Sequence, residues 1–507
     1  MISAIWWYLK LLDFVYNNLF LKLIDITKNL NMKKKENPDI PNKNRLKRIE
    51  VLGLYDVFDH VVELKDQNIT LILGENGLGK TIILKIIKAF FDKNYKELFN
   101  YPYKLIKITF DNEEIIQIEK QEDIESNLLF SLWNKKTQKK ATDTYLIPIS
   151  RFNRRPYNRR TKNTYEEGYL DIIHSYSSDI DYLLSRNGVG HIERIGRDRW
   201  LDIRTSELYS TKDIVVRYGD LLPESLLKEL NIQIPNWIIQ PSDIFEPMLI
   251  ETQRLLYKSK EGESEYKSSV IKYAQELVEK IKNKTVEGTE LSSRLDKNFP
   301  NRVITEITKK NKITDLEISV GLGNLSKRRE LLNKVGLLDT EEEHIQPMPK
   351  NVKEAEKNED ILNIVLQVYI NDSNDKLGVY DELAKKLEIL TDIINKRFLY
   401  KTLSISRKNG FVFKSTITDK EIPLGGLSSG EQHELVLFYQ LLFNTSPSSL
   451  LLIDEPEISL HISWQNHFIN DLREVIALNK FSAIIATHSP DIINNNWDLT
   501  VKLKGKK

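Results

Sequence analysis

The sequence predicts an α/β protein built on a parallel sheet, with large insertions between its strands. Three short apolar runs carry this prediction, because strands of a parallel sheet are buried on both faces. They lie at Ile69–Leu73, at Leu450–Ile453 and at the start of Phe481–Ile493. Polar residues follow each run, and the carboxyl ends of parallel strands meet at one edge of a sheet. We therefore expect these polar residues to form one site.

The amino-acid composition limits the classes of protein and of functional site that this chain can form. The chain has 507 residues, of which 40% are hydrophobic and 29% charged, so it can form two or three domains. Because it carries 74 basic and 73 acidic side chains, any contact with nucleic acid must be a local patch. A sequence without cysteine excludes disulfides, thiolate metal sites and cysteine nucleophiles. It fits a cytoplasmic protein, and the 8 scattered histidines predict no zinc site.

A glycine-rich turn separates the first apolar run from a segment with helical spacing, Ile82–Phe90. The turn consists of Gly74, Glu75, Asn76, Gly77, Leu78, Gly79, Lys80 and Thr81. It fits the pattern G-x-x-x-x-G-K-[ST]. Glycines let backbone N–H groups surround phosphates, Lys80 can reach the β- and γ-phosphates, and Thr81 can bind Mg²⁺. An ordinary strand–helix turn does not require the complete pattern, so we predict a nucleotide site.

Two carboxylates follow the second run, and a histidine follows the third. Asp454 ends a strand, where it can hold Mg²⁺ through water, and Glu455 is placed to polarise an attacking water. His488 follows the third run, at the sheet edge where a γ-phosphate would lie. Acidic residues often follow strands, and a lone histidine is usually structural. In a chain with a phosphate-binding turn, a metal–nucleotide role accounts for these residues together.

The segment "LSSGEQ" precedes a long apolar run and predicts the start of a helix. Ser428 or Ser429 would be the N-cap, and Glu431 would lie in the first turn. The predicted buried stripe consists of Leu435, Leu437, Phe438 and Leu441. A helix cap alone accounts for every residue of this segment, so its neighbours in the sequence must decide whether it does more.

These motifs, in this order, resemble those of the ABC-type ATPases, in particular the SMC, RecF and RecN branch. The resemblance covers residues 48–90 and 401–503. It implies a P-loop NTPase head of ABC type that binds ATP and Mg²⁺. It also implies that "LSSGEQ" is the signature motif, which clamps the γ-phosphate of ATP held by another subunit, in a homodimer or higher homo-oligomer. The clamping residues would be Ser428, Ser429, Gly430 and Glu431. Leu78 replaces the family's usual serine, at a position that contributes mainly backbone.

The same resemblance assigns roles to residues outside these two motifs. Glu455 becomes the catalytic base, His488 the switch histidine and Glu457–His461 the D-loop. Gln253, which follows the strand-like Met248–Glu251, is the best candidate for the glutamine that contacts Mg²⁺ and the attacking water. The resemblance therefore places Thr81, Asp454 and Gln253 around the metal.

We expect six regions along the chain. They are an N-terminal amphipathic helix and linker (1–40), the N-terminal lobe of the ATPase head (41–125), an insert with a basic loop (126–245), the region of Gln253 (246–260), a helical subdomain (261–400) and the C-terminal lobe (401–507). In the first region Lys10, Asp13 and Lys22 interrupt the apolar run, so we expect a docked helix and no membrane span. Attachment to a membrane surface, or a true start at Met32, is the alternative.

The inserts are too large for a transporter head. Residues 103–121 alternate apolar and polar side chains, which predicts a hairpin that turns at Asp111–Asn112 and extends the ATPase sheet. The basic loop Arg151–Lys162 contains aromatic residues and suits nucleic acid, or equally a solvated or protein-binding arm. Residues 261–396 read as helices that break at Pro300 and around Pro347 and Pro349. They predict a compact lever or oligomerisation subdomain rather than a long coiled coil.

The sequence leaves several functions open. Only residues 489–507 follow His488, so we expect no appended nuclease domain of the overcoming-lysogeny type. The layout is similar to that of ATPases from bacterial anti-phage operons such as Septu and PARIS, which work with a separate nuclease or effector. We therefore predict an ATP-hydrolysing switch that gates an effector in defence against phage. The alternatives are a RecF-like or SMC-like repair ATPase and an ATP-dependent scaffold with slow turnover.

Overall fold

A computed structural model describes the chain in several stretches. They are residues 45–121, 127–134, 141–148, 179–186, 189–196, 199–204, 207–218, 221–222, 235–251, 253–258, 266–309, 313–338 and 359–505. Three sequence predictions lie outside these residues. They concern the N-terminal amphipathic helix with the alternative start at Met32, the basic loop Arg151–Lys162, and the break around Pro347 and Pro349.

Strands and helices are numbered along the described residues. The strands are β1 (Leu46–Leu54), β2 (Phe58–Glu63), β3 (Ile69–Leu73), β4 (Leu105–Phe110), β5 (Glu114–Gln121), β6 (Asn127–Asn134), β7 (Asp143–Pro148), β8 (Ile192–Gly196), β9 (Arg199–Asp202), β10 (Leu208–Tyr209), β11 (Glu246–Ile250), β12 (Leu256–Lys258), β13 (Tyr266–Ser268), β14 (Lys401–Ser406), β15 (Gly410–Ser415), β16 (Glu421–Ile422), β17 (Ser449–Asp454), β18 (Ser482–Thr487) and β19 (Thr500–Lys502). The helices are α1 (Lys80–Phe91), α2 (Tyr95–Asn100), α3 (Thr211–Arg217), α4 (Asn236–Ser242), α5 (Ser269–Lys309), α6 (Asp315–Lys334), α7 (Glu359–Gly378), α8 (Asp381–Arg397), α9 (Ser429–Phe443), α10 (Ile462–Asn479) and α11 (Pro490–Ile493).

A parallel sheet of five strands forms the centre of the fold, with the order β11-β17-β18-β3-β19. The three apolar runs of the sequence are its three inner strands, β17, β18 and β3, so the α/β prediction is confirmed. Side chains along the inner strands alternate between two hydrophobic cores. On β17, Leu451 and Ile453 enter one core, while Leu450 and Leu452 enter the other.

The two cores lie on opposite faces of this sheet and hold different helices. The first core contains the buried faces of α5, α8, α9 and α10. The second contains α1 together with the strands of a separate antiparallel sheet. Helix α1, which follows the glycine-rich turn, and helix α9, which follows "LSSGEQ", therefore pack on opposite faces of the parallel sheet.

The predicted hairpin forms, but its predicted place in the sheet is wrong. Strands β4 and β5 pair as an antiparallel hairpin around residues 111–113. They belong to a six-stranded sheet with the order β2-β1-β4-β5-β6-β7, and they do not extend the parallel sheet. The alternating pattern explains the difference: Ile106, Ile108, Ile116 and Ile118 face the second core, while the residues between them are less buried. A strand with one polar face cannot occupy a parallel sheet that is covered on both sides.

The predicted helix break at Pro300 is also wrong. Helix α5 has 41 residues and continues through Pro300 to Lys309. Pro300 is exposed, so water can reach the carbonyl group whose hydrogen bond the proline removes. Two residues on, Arg302 forms a forked ion pair with Asp372 of α7 and donates to the carbonyl of Leu295 at 2.7 Å. These contacts hold the helix together across the proline.

Helices α5, α6, α7 and α8 form a helical region that we call the arm. Helix α7 packs against both α5 and α6, while the first turns of α5 and most of α8 pack into the first core. The arm is thus continuous with the core that contains α9. No helix within the described stretches combines the length and the apolar character that crossing a membrane requires.

Candidate functional site

The glycine-rich turn adopts a conformation that its sequence requires. Gly77 and Gly79 have φ values of +87° and +82°, a region that favours glycine. A Cβ atom on Gly79 would lie 2.5 Å from Cδ2 of Leu54, so a larger residue does not fit. Helix α1 begins directly after Gly79, and no side chain caps it. Its first N–H groups are therefore available to an anion.

Lys80 places a buried cation inside this turn. The side chain is 4% exposed, and Nζ donates to the carbonyl of Gly74 at 2.9 Å and to that of Glu75 at 3.2 Å. The ammonium also lies 3.7 Å from Oε1 of Glu455. The predicted lysine thus sits where it can contact a phosphate held by the backbone of the turn.

Leu78, the departure from the usual serine, is held by its backbone and by packing. Its side chain is half-buried against the second core, near the backbone of Gly505. Its carbonyl accepts a hydrogen bond of 2.8 Å from Nε2 of His60 on β2. His60 was not identified from the sequence, and no motif or spacing there marks it.

Thr81 and Asp454 meet as the predicted metal site requires. Oγ1 of Thr81 donates to Oδ2 of Asp454 at 2.8 Å. Within the described residues Oδ1 of Asp454 is buried and has no hydrogen-bond partner. Burial raises the pKa of this carboxyl group, while Thr81 and the ammonium of Lys80 oppose the rise. A buried oxygen without a partner and a hydroxyl beside it fit a Mg²⁺ ion that keeps part of its water shell.

A Mg²⁺ ion beside Thr81 and Asp454 would need further ligands from a bound nucleotide. Among the described residues, no three His, Cys, Asp or Glu side chains group in a way that could hold a metal ion. Mg²⁺ would therefore be held by Thr81, by Asp454 and by the phosphates themselves, as in other P-loop sites.

Glu455 faces the nucleotide site from a strained backbone. Its φ is +43°, which a glutamate adopts at a cost of about 1–3 kcal/mol. The N–H group of Glu455 donates to the carbonyl of Ala486 on β18 at 2.9 Å, which fixes this conformation. The carboxylate lies 3.7 Å from Nζ of Lys80 and 3.7 Å from Nδ1 of His488. It is partly exposed and can contact a water molecule beside a bound phosphate.

Glu457 holds His488 in place, a role that sequence reasoning missed. Its Oε1 accepts from the backbone N–H of His488 at 2.8 Å and from Oγ1 of Thr487 at 2.8 Å, and it lies 3.0 Å from Nδ1 of His488. Glu457 is buried, whereas the His488 side chain is 42% exposed. The sequence showed an acidic residue shortly after the strand, but not that it contacts residues 30 positions away.

The start of α9 resolves the choice between two serines. Ser428 is the N-cap: its Oγ accepts from the N–H of Glu431, and the Glu431 carboxylate accepts from the N–H of Ser428 at 2.8 Å. Glu431 also pairs with Lys401 at 2.6 Å. Ser428 and Ser429 are exposed. The predicted apolar stripe is fully buried, but so are Val436 and Tyr439 between its members, because α9 lies inside the first core.

Gln253 lies near this edge of the sheet, and its role stays a prediction. It follows β11, which pairs with β17, so it comes after the strand next to the one that ends at Asp454. The side chain is exposed. Two residues earlier, Glu251 lies 3.6 Å from Nζ of Lys85 on α1.

The chain is similar to one protein-family model and to several solved structures. Residues 45–493 match the family model described as AAA ATPase domain. Among solved structures, the chain is similar to the Smc head domain of Pyrococcus furiosus, with an extended coiled coil and bound to the C-terminal domain of ScpA. The identity is 11% and the TM-score 0.32, over 92% of this chain and 97% of that chain. It is also similar to the SMC head domain of Thermotoga maritima, with 11% identity and a TM-score of 0.30, over 91% of this chain and 99% of that chain. No curated protein matches.

Proposed function

Because this chain belongs to the AAA ATPase domain family, we propose that it is an ATP-hydrolysing switch in which two copies close around ATP. The observation that carries this proposal is the meeting of Lys80, Thr81, Asp454, Glu455 and His488 at one edge of the parallel sheet. These residues supply the groups that phosphoanhydride hydrolysis needs: a cation for the phosphates, ligands for Mg²⁺ and a base for water.

Each side chain has a distinct role in the proposed reaction. The backbone of the turn and Lys80 bind the β- and γ-phosphates, and Thr81 and Asp454 hold the metal ion. Glu455 orients the attacking water and accepts its proton. His488, held by Glu457, contacts the γ-phosphate. Bound Mg²⁺ would neutralise charge that develops on the phosphate oxygens.

The positions of two helix starts support a site shared between two chains. Helices α1 and α9 pack on opposite faces of the parallel sheet. Ser428 and Ser429 are exposed at the start of α9. An exposed helix start with hydroxyl groups can bind phosphate, and the parallel sheet separates α9 from α1 of its own chain. A second copy in the opposite orientation can bring the two together.

A buried cluster of charged side chains supports the idea that the arm moves when two copies close around ATP. Arg397, the last residue of α8, pairs with Glu434 of α9 and with Asp471 of α10. Its guanidinium group also lies over the ring of Phe438, 5.1 Å from the centroid. Breaking a buried pair costs about 3–5 kcal/mol. Helices α8, α9 and α10 therefore move as one unit, and a shift of α9 on ATP binding would move the arm.

We extend this proposal to a role in which the arm gates a separate effector, such as a nuclease, in bacterial defence against phage. The layout of the chain supports this setting. A repair ATPase of the RecF or SMC type would use the same heads with nucleic acid as the partner. The placement of Glu455 beside Lys80 and His488 favours hydrolysis over a scaffold that only binds nucleotide.

A mixing experiment tests the shared site. Ser429→Arg puts a bulky cation where the partner's γ-phosphate would lie, and Lys80→Ala removes the cation from the turn. Each variant alone should fail to hydrolyse ATP, while Ser429→Arg should still bind it. Mixing the two chains should restore at most one working site per dimer, because each defect affects a different half of the site. Steady-state ATPase rates over a range of mixing ratios measure this.

The control is Thr289→Arg, which adds the same side chain at an exposed position of α5 and should leave the rate unchanged. Hydrolysis that does not depend on protein concentration, and that persists in Ser429→Arg, would show that one chain builds the whole site. The shared-site proposal would then be wrong.

A further inference from the structure

His60 lies outside every motif of the sequence, yet it contacts the phosphate-binding turn. It is on β2, is 2% exposed and stacks on Phe58 with 5.5 Å between ring centroids and 14° between ring planes. Its Nε2 lies 2.8 Å from the carbonyl oxygen of Leu78. Because a carbonyl oxygen can only accept, the proton of the neutral ring must be on Nε2.

The surroundings of the His60 ring favour its neutral form, which has a single N–H donor. Burial lowers the pKa of His60, while the hydrogen bond to Leu78 and the charge of Asp59 oppose the shift. Among the described residues, Nδ1 is buried and has no hydrogen-bond partner. A second proton would leave a buried N–H group without an acceptor, which is unfavourable. The ring is therefore neutral, with its one N–H group on Leu78.

The carbonyl group that accepts from His60 belongs to a residue between two glycines of the turn. Leu78 lies between Gly77 and Gly79, which both have positive φ and can rotate more freely than other residues. In a planar trans peptide, the carbonyl of one residue and the N–H group of the next point in opposite directions. The hydrogen bond from His60 fixes the direction of the Leu78 carbonyl. Through the planar peptide it also fixes the N–H group of Gly79, which points away from His60.

We propose that His60 is a positioning residue for nucleotide binding: it holds the Leu78–Gly79 peptide so that the Gly79 N–H group can donate to the β-phosphate. This inference rests on the nucleotide site proposed above. Since ADP and ATP both carry a β-phosphate, loss of His60 should weaken both to the same extent. The chemistry of hydrolysis involves the γ-phosphate, so kcat at saturating ATP should change little.

The experiment compares four variants of the full chain by calorimetry with ADP and with ATP, each with Mg²⁺. His60→Phe keeps a ring to stack on Phe58 but has no donor, and His60→Leu removes both the donor and the ring. His60→Gln restores an N–H donor. His191→Phe is the matched control, because Nε2 of His191 also forms a hydrogen bond, with the hydroxyl group of Tyr218 at 3.1 Å. His191 lies directly before β8, away from the phosphate-binding turn. Melting temperatures are measured beside the affinities.

The two donor-free variants should bind ADP and ATP about three- to tenfold more weakly, the loss that one neutral hydrogen bond typically produces. His60→Gln should recover part of the affinity, and His191→Phe should bind like the wild type. If both donor-free variants bind with wild-type affinity, or if His60→Gln binds as weakly as they do, the positioning role is wrong. A wild-type chain that binds no nucleotide, or a Lys80→Ala chain that binds normally, would instead overturn the nucleotide site itself.

Discussion

We propose phosphate contacts at two helix starts of this protein, and these two starts present different surfaces to a ligand. Helix α1 follows Gly79, which has a positive φ, and no side chain caps it. Helix α9 follows Ser428, which forms a reciprocal capping box with Glu431. The N–H groups at the start of α1 thus remain open to phosphate, whereas α9 already satisfies part of its own.

Charge separates the two helix starts in the same way. The turn before α1 contains the buried ammonium of Lys80. At α9 the carboxylate of Glu431 is neutralised by Lys401 at 2.6 Å, so the helix start carries little net charge. We infer that nucleotide binds first at α1 with most of its affinity. The start of α9 then adds a smaller contribution, which matters only when a second copy brings it to the γ-phosphate.

Among the tests of this comparison, Lys80→Ala should have the largest effect. The variant loses the only side-chain cation of the turn, and charged hydrogen bonds contribute about 1.5–3 kcal/mol each. Contacts to two phosphate oxygens therefore predict a fall in ATP affinity on the order of 10²–10⁴-fold. Calorimetry measures it, with Lys96→Ala as the control, because Lys96 is exposed on the next helix. Wild-type affinity in Lys80→Ala would remove the difference between the two helix starts.

A second test separates binding from turnover. Glu455→Gln keeps the size of the side chain but cannot accept a proton from water, so hydrolysis should fall by about 10²–10⁴-fold. ATP should still bind at α1, and the closed dimer should accumulate because it no longer reopens after hydrolysis. Sedimentation with ATP and steady-state rates measure both effects. Glu474→Gln, an exposed change on α10, should behave like the wild type. A Glu455→Gln chain that turns over normally would exclude Glu455 as the base.

Local pattern explains what could be predicted from the sequence. The inner strands of the parallel sheet and the turn from Gly74 to Thr81 form where the sequence predicts them, since each depends on neighbours within a few residues. The same holds for the start of α9, where Ser428 and Glu431 are three residues apart. The contact between Thr81 and Asp454 could also be predicted from the sequence, because parallel strands bring their carboxyl ends to one edge of the sheet.

Contacts between distant segments explain what could not be predicted. The hairpin of β4 and β5 joins an antiparallel sheet because β1, far back in the chain, pairs with β4. Helix α5 passes Pro300 because Arg302 finds Asp372, 70 residues away. The contact between His60 and Leu78 depends in the same way on how β2 packs beside the turn. None of these leaves a signal in a single sequence.

The smallest expected effect comes from Ser428→Ala, which removes the cap of α9. Loss of a capping side chain costs about 1 kcal/mol of stability, measured as a shift in the free energy of unfolding. Thr314→Ala is the matched control, since Thr314 and Glu317 form the same reciprocal box at the start of α6 on the arm. Both variants should lose similar stability, and both should bind ATP with wild-type affinity, because binding depends on α1.

The two variants should differ only in turnover. In Ser428→Ala the first turn of α9 loosens, and this is the turn proposed to meet the γ-phosphate of a second copy, so hydrolysis should slow. In Thr314→Ala the loosened turn belongs to α6, which packs against α7 and not around the nucleotide, so hydrolysis should be unchanged. If Ser428→Ala instead weakens ATP binding to the single chain, α9 contributes to binding from within the same chain. The contrast between a primary and a secondary helix start would then fail. Equal turnover in both variants would reduce the serine to a helix cap and nothing more.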